Sequence, residues 1–91
     1  MDIKHDEGKH QFYAEVDGGQ AVLDYEQNGK TLNFYHTFVP PELRGKGLAE
    51  QVTKAAFDYA EKNGFKVIPS CPYVARLVMR NEDWKRLVVF K

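Results

Sequence analysis

Two glycines set among basic side chains, Arg44-Gly45-Lys46-Gly47, stand directly before Leu48-Ala49 and a long amphipathic stretch. Residues of these types at this spacing can hold an anion. Glycine lets the backbone approach a ligand closely, the first N–H groups of a helix have no intrahelical acceptor, and the cations add charge. Such a turn suits a phosphate or pyrophosphate. The spacing is not Gly-x-x-x-x-Gly-Lys-Ser/Thr, which disfavours a nucleoside-triphosphate loop. Nor is it Gly-x-Gly-x-x-Gly with an acidic residue after a second strand, which disfavours NAD. An ordinary tight strand-to-helix loop is the plainer alternative. Cys71, the only cysteine, lies between a strand end and a helix start, where the helix dipole favours a thiolate. It could act as a nucleophile or a proton donor, or be a small buried hydrophobe. His36 is expected on one face with Phe34 and Phe38. It is either a core residue or, with Cys71 on a neighbouring strand, a base for that thiol or for a substrate. His5 and His10 lie in a polar N-terminal stretch without a chemical partner. One cysteine and scattered histidines do not meet zinc spacing, so no metal is expected.

The elements that must position these residues can be read from periodicity. Gln11 to Val16 alternates as a strand, and Asp17-Gly18-Gly19 turns the chain into a second strand, Ala21 to Glu26. Asn28-Gly29 is a two-residue hairpin signal, followed by a third strand from Thr31 to Val39. Pro40-Pro41 stops that ladder. A helix from about Gly45 to Lys62 carries Leu48, Val52, Ala55, Ala56, Tyr59 and Ala60 at helical spacing, and Asn63-Gly64 ends it. Phe65 to Pro69 is a fourth strand, expected parallel to the third. Ser70 can cap a short helix starting near Pro72, which Asn81-Glu82-Asp83 breaks. Arg76 and Arg80 lie four apart on it, either reaching for phosphates or forming a solvated basic face. Trp84 reads as a core anchor, with Leu87, Val88, Val89 and Phe90 as an apolar tail. The sum is an α+β fold: an antiparallel meander, a helix, a parallel strand and a short helix. The turn sits where a strand leads into a helix, the usual place for phosphate sites in such sheets.

Composition narrows the function. With 91 residues one domain, 1–91, is expected, and 43% hydrophobic residues suffice for a modest core. Thirteen basic and thirteen acidic residues cancel, which argues against nucleic acid. A single cysteine suggests a reducing compartment. No apolar run reaches the roughly 20 residues of a membrane span, and the polar start lacks a signal-peptide core. A cytoplasmic protein without membrane partners is the expectation, monomeric or weakly dimeric.

The turn, read as Arg44-x-x-Gly47-x-Ala49, resembles the acyl-CoA signature of the GCN5-related N-acetyltransferases (GNAT). Phe34-Tyr-His-Thr-Phe-Val39, Pro41 to Ala49 and Pro69-Ser-Cys-Pro-Tyr-Val74 together resemble a very small subgroup of that family, which carries a His before the turn and a Cys after the next strand. His36 and Cys71 occupy those places. The resemblance implies acetyl-CoA as cofactor, held between splayed third and fourth strands. Pantetheine would pair near Phe38 and Val39, with the pyrophosphate over Arg44, Gly45, Lys46, Gly47, Leu48 and Ala49. It also implies that Tyr73, otherwise a packing aromatic, could protonate the CoA thiolate beside the other catalytic candidates, Cys71 and His36. The implied activity is acetyl transfer to an amine, small molecule or protein lysine. A CoA-binding module with little turnover is the alternative, and a small interaction domain the third reading.

Overall fold

The computed structural model describes residues 3–16, 18–45 and 47–89, so Lys46 of the basic turn and Phe90 of the tail lie outside the described residues. Five strands pair in the order β1-β2-β3-β4-β5. They are β1 (Lys4–Asp6), β2 (Gln11–Val16), β3 (Gly19–Asn28), β4 (Thr31–Phe38) and β5 (Lys66–Ile68). β2 to β4 form the expected antiparallel meander, β1 adds a fourth antiparallel strand beside β2, and β5 joins β4 in parallel. A 3₁₀ turn (Pro41–Leu43) and three helices complete the chain: α1 (Leu48–Asn63), α2 (Pro72–Met79) and α3 (Glu82–Lys85).

Alternation puts Phe12, Ala14, Ala21, Leu23, Leu32 and Phe34 on the buried face of the sheet. The stripe Leu48, Val52, Ala56, Phe57 and Ala60 of α1 covers them. Trp84 is buried as expected, its ring stacked on Phe57 with centroids 4.6 Å apart. The tail returns to the sheet through a bridge from Val88 to Val67.

Several boundaries differ from expectation, each for a local reason. Asn28 pairs with Thr31, so the hairpin loop is Gly29-Lys30 and not Asn28-Gly29, with Gly29 at φ +59°. α1 starts at Leu48 and not near Gly45, because Gly45 and Gly47 adopt left-handed φ values of +87° and +74°. Cys71, not Ser70, occupies the N-cap of α2, since the Ser70 hydroxyl is engaged by Asn33 at 2.6 Å. α2 ends at Met79 with Arg80 as its C-cap, and Asn81 starts α3, accepting from the N–H groups of Asp83 and Trp84.

The largest departure lies in β4. Asp24 pairs with His36 and Tyr25 pairs with Phe34, leaving Tyr35 as an extra residue in a β-bulge. Alternation restarts after it. Phe34 is buried, but His36 and Phe38 are turned to the open face, and Thr37 points inward opposite Leu23.

β1 carries no apolar pattern and was not foreseen. Its His5 stacks on Phe12 with centroids 4.0 Å apart, meets Tyr59 edge-on, and hydrogen-bonds the Tyr25 hydroxyl through Nε2. Burial holds the imidazole below its ordinary value and pushes Tyr25 up to about 12, so the phenol donates to a neutral ring. The unfolded chain therefore takes up a proton near pH 6.5 more readily than the folded one. The stability contributed by neutral His5 is present above about pH 6.5 and is lost as pH falls through the lowered folded value. Melting curves between pH 7.5 and 5.5 should show wild type losing more stability than His5→Gln; parallel losses would contradict this assignment.

Candidate active site

β4 and β5 pair only over Thr31↔Lys66, Leu32↔Val67 and Asn33↔Ile68. The Cys71 N–H still donates to the Phe34 carbonyl at 2.9 Å. Beyond that point β4 and the start of α2 diverge. The opening leads into a cavity of about 610 Å³, within the range of small-molecule sites. Thr37 and Val39 form one wall, Leu43 to Gly45 and Gly47 to Ala49 the floor, and Tyr73 and Arg76 the other wall.

The floor is built by the glycine turn. Leu43 is buried and pins the 3₁₀ turn to the core. Arg44 Nε donates to the Val39 carbonyl at 3.1 Å, which ties the turn to the end of β4. A side chain at Gly45 would meet nothing within 4 Å, so the demand for glycine there is conformational rather than steric. The first intrahelical bond runs from the Gln51 N–H to the Gly47 carbonyl at 3.1 Å. The N–H groups of Leu48, Ala49 and Glu50 thus have no partner within the helix, and Leu48 and Ala49 line the cavity. That arrangement can bind an oxyanion.

Tyr73 is half-buried on the wall. Burial raises its pKa, the Glu50 carboxylate adds to the rise, and Arg80 and Arg76 oppose it, so the phenol keeps its proton at neutral pH. Arg76 borders the cavity and is exposed, whereas Arg80 is not among the lining residues.

Cys71 is buried, and its Sγ–H donates to Thr37 Oγ1 at 3.5 Å. Burial pushes the thiol up. Once the sulfur is a thiolate, the Thr37 hydroxyl can turn to donate to it beside the N–H groups of Val74 and Tyr73, which outweighs burial and brings the pKa below its ordinary value. Cys71 is not among the residues that line the cavity. His36 is not brought to Cys71. The bulge turns it to the opposite face, where Nδ1 bonds Asp24 Oδ2 at 2.9 Å. Phe38 is likewise on the open face, 45% exposed, while Val39 remains in the wall.

Thr37 therefore takes the place beside Cys71 expected of His36. Strict alternation from Phe34 misses it. The signal was indirect: Tyr35-His36-Thr37-Phe38 holds two polar residues between aromatics, more than a regular half-buried strand needs. Among the described residues no group of three His, Cys, Asp or Glu is placed to hold a metal ion. No helix among them is long and apolar enough to cross a membrane.

Comparison with known proteins bears on what this cleft does. Residues 11–87 match the family model described as GCN5-related N-acetyl-transferase. Protein NATD1 of Xenopus tropicalis is 37% identical over 82 residues, covering 87% of this chain and 75% of that protein. Protein NATD1 of Homo sapiens is 35% identical over 82 residues, covering 87% and 73%. The solution structure of a GCN5-like protein from Staphylococcus aureus superposes with a TM-score of 0.75 at 25% identity, covering 99% of this chain and 89% of that one.

Proposed function

The chain belongs to the GCN5-related N-acetyltransferase family, and from that premise we propose that it is an acetyl-CoA-dependent N-acetyltransferase acting on an amine. Members of the family generally use acetyl-CoA. The observation that carries the reading for this chain is the joining of an open helix N-terminus and a protonated tyrosine by one cavity.

The residues present fit this cofactor. The N–H groups of Leu48 and Ala49, approached over Gly45 and Gly47, would hold the pyrophosphate. Lys46 would add charge from the same turn, and Arg76 from the opposite wall. The Val39 segment, beside the divergence of β4 and β5, would line the extended arm, with Phe38 contributing main chain rather than its exposed ring. When bound, acetyl-CoA supplies an activated acetyl thioester. The chain's own contribution is to hold that group in the cleft, aim backbone dipoles of the Val39 segment at the carbonyl, and keep a proton on Tyr73 for the leaving sulfur. Cys71, buried and not among the cavity's lining residues, fits direct transfer better than an acyl-cysteine route. His36, on the open face, would serve the amine and not the thiol. The folding unit in this reading is the whole of 1–91, monomeric or weakly dimeric, working in the cytoplasm without nucleic acid or membrane partners.

Thermal unfolding with CoA and acetyl-CoA, against ATP and NAD, tests the cofactor half. At 100 times the dissociation constant a ligand adds about 2.7 kcal/mol. Protection by the CoA species alone is expected. Equal protection by all four, or none, would remove the cofactor assignment. Transfer of labelled acetyl to a panel of monoamines, polyamines and lysine peptides then tests turnover.

A further inference from the structure

The strand register aligns Gln11, Asp24 and His36 in one row across β2, β3 and β4. Gln11 Nε2 donates to Asp24 Oδ1 at 2.8 Å, and His36 Nδ1 lies 2.9 Å from Asp24 Oδ2. Both carboxylate oxygens are therefore engaged, each from a different side. The Asp24 side chain is 22% exposed and that of His36 54%. The carboxylate is shielded while the imidazole stands open. A carboxylate accepting at Nδ1 fixes the neutral ring as the Nδ1–H tautomer, with its lone pair on Nε2. Among the described residues Nε2 has no partner, so that lone pair is free. This is the base-plus-orienting-carboxylate arrangement that hydrolytic sites use, here built on a bulged strand.

Position gives it meaning. His36 lies on the stretch of β4 that no longer pairs with β5, next in sequence to Thr37, which lines the cavity. Its neighbours Tyr35 and Phe38 are exposed aromatics, a surface that suits an organic cation.

Resting on the acetyl-transfer reading, we infer that Asp24, itself held by Gln11, is a positioning residue that presents His36 Nε2 as the general base for the acceptor. The acceptor is thus an ammonium-bearing compound arriving over the open sheet face. Nε2 takes one proton from the ammonium, and the freed nitrogen lone pair forms the new C–N bond as the C–S bond breaks. The sulfur leaves with the bonding pair and receives the Tyr73 proton. The new amide nitrogen gives its second proton to solvent and becomes neutral, the protonated imidazole releases its proton to solvent, and the phenolate takes one back.

Two measurements on the full chain decide it. In ¹⁵N NMR at a pH where His36 is neutral, with its signals assigned through His36→Gln, the wild-type ring should be the Nδ1–H tautomer. Asp24→Ala should return it to a mixture rich in Nε2–H, the form free imidazole rings prefer, without altering CoA protection. In acetyl transfer, His36→Gln should lower kcat about 100-fold and Asp24→Ala about tenfold, with the KM for acetyl-CoA unchanged and partial rescue in Asp24→Glu. An Nε2–H tautomer in wild type, or one unmoved by Asp24→Ala, overturns the positioning role whether or not turnover is found. A wild-type protein that binds acetyl-CoA but acetylates no amine overturns the general-base role together with the transferase reading. Full activity in His36→Gln overturns the base assignment and leaves the transferase reading standing.

Discussion

Tyr73→Phe should lower kcat for acetyl transfer by about 10²–10⁴-fold while protection by CoA stays as in wild type. The change deletes one hydroxyl from the cavity wall and no packing surface. Tyr73 is half-buried, with its pKa raised first by burial and then by Glu50, so it enters the reaction protonated. A CoA thiolate leaving into this cleft would otherwise depart unprotonated. Thr37 and Cys71 are the alternatives, but the Cys71 proton is directed to Thr37 and the thiol is buried outside the cavity lining. Steady-state kinetics beside thermal shift separates the outcomes. Unchanged kcat would remove Tyr73 from the chemistry, and lost CoA protection would make it a binding residue instead.

Phe57→Ala should cost about 3–5 kcal/mol. The ring is 1% exposed and lies at the centre of the core, stacked against Trp84 with an interplanar angle of 3° and edge-on to Phe34 at 5.2 Å. Its loss leaves a hole that neither the sheet nor the short α3 can fill. Domains of this size have total stabilities of roughly 5–14 kcal/mol, so a large share disappears and Tm should drop by on the order of 20 °C. Chemical denaturation of wild type and variant measures this. A loss below about 1 kcal/mol would mean that α3 and Trp84 close over the gap, and that the stack contributes little beyond area.

Much of this fold was legible because burial and periodicity agree. Phe12 and Ala14, Leu23, and Leu32 and Phe34 alternate as strands, and Leu48 to Ala60 repeats as a helix. The glycine turn was legible for the same kind of reason, since left-handed φ at Gly45 and Gly47 is what their residue type permits. Position 36 was not legible. A bulge is an event between strands, set by how β3 and β4 align, and within Thr31 to Val39 only the polar pair His36-Thr37 between aromatics hints at it. That one residue moved His36 out, brought Thr37 in, and changed which side chain meets Cys71. β1 was missed because Lys4-His5-Asp6 buries a histidine ring rather than an aliphatic one. Cys71 as N-cap was missed because the Ser70 hydroxyl has a tertiary partner in Asn33.

The order of the sheet follows the order of the chain, and this separates the two walls of the cleft in a further respect. β2, β3 and β4 are joined by tight connections, Val16↔Gly19 and Asn28↔Thr31, whose closure fixes few residues. The β4–β5 contact Asn33↔Ile68 must instead bring together segments separated by the whole of α1. Closing a loop of that length costs about 2.5 kcal/mol more in chain entropy than closing a tight hairpin. Three ladder pairs then hold the join, with the Cys71–Phe34 and Ser70–Asn33 hydrogen bonds at its end. The meander can zip from one hairpin to the next, whereas the seam beside the cavity is the long-range closure, the last to knit and the first to part.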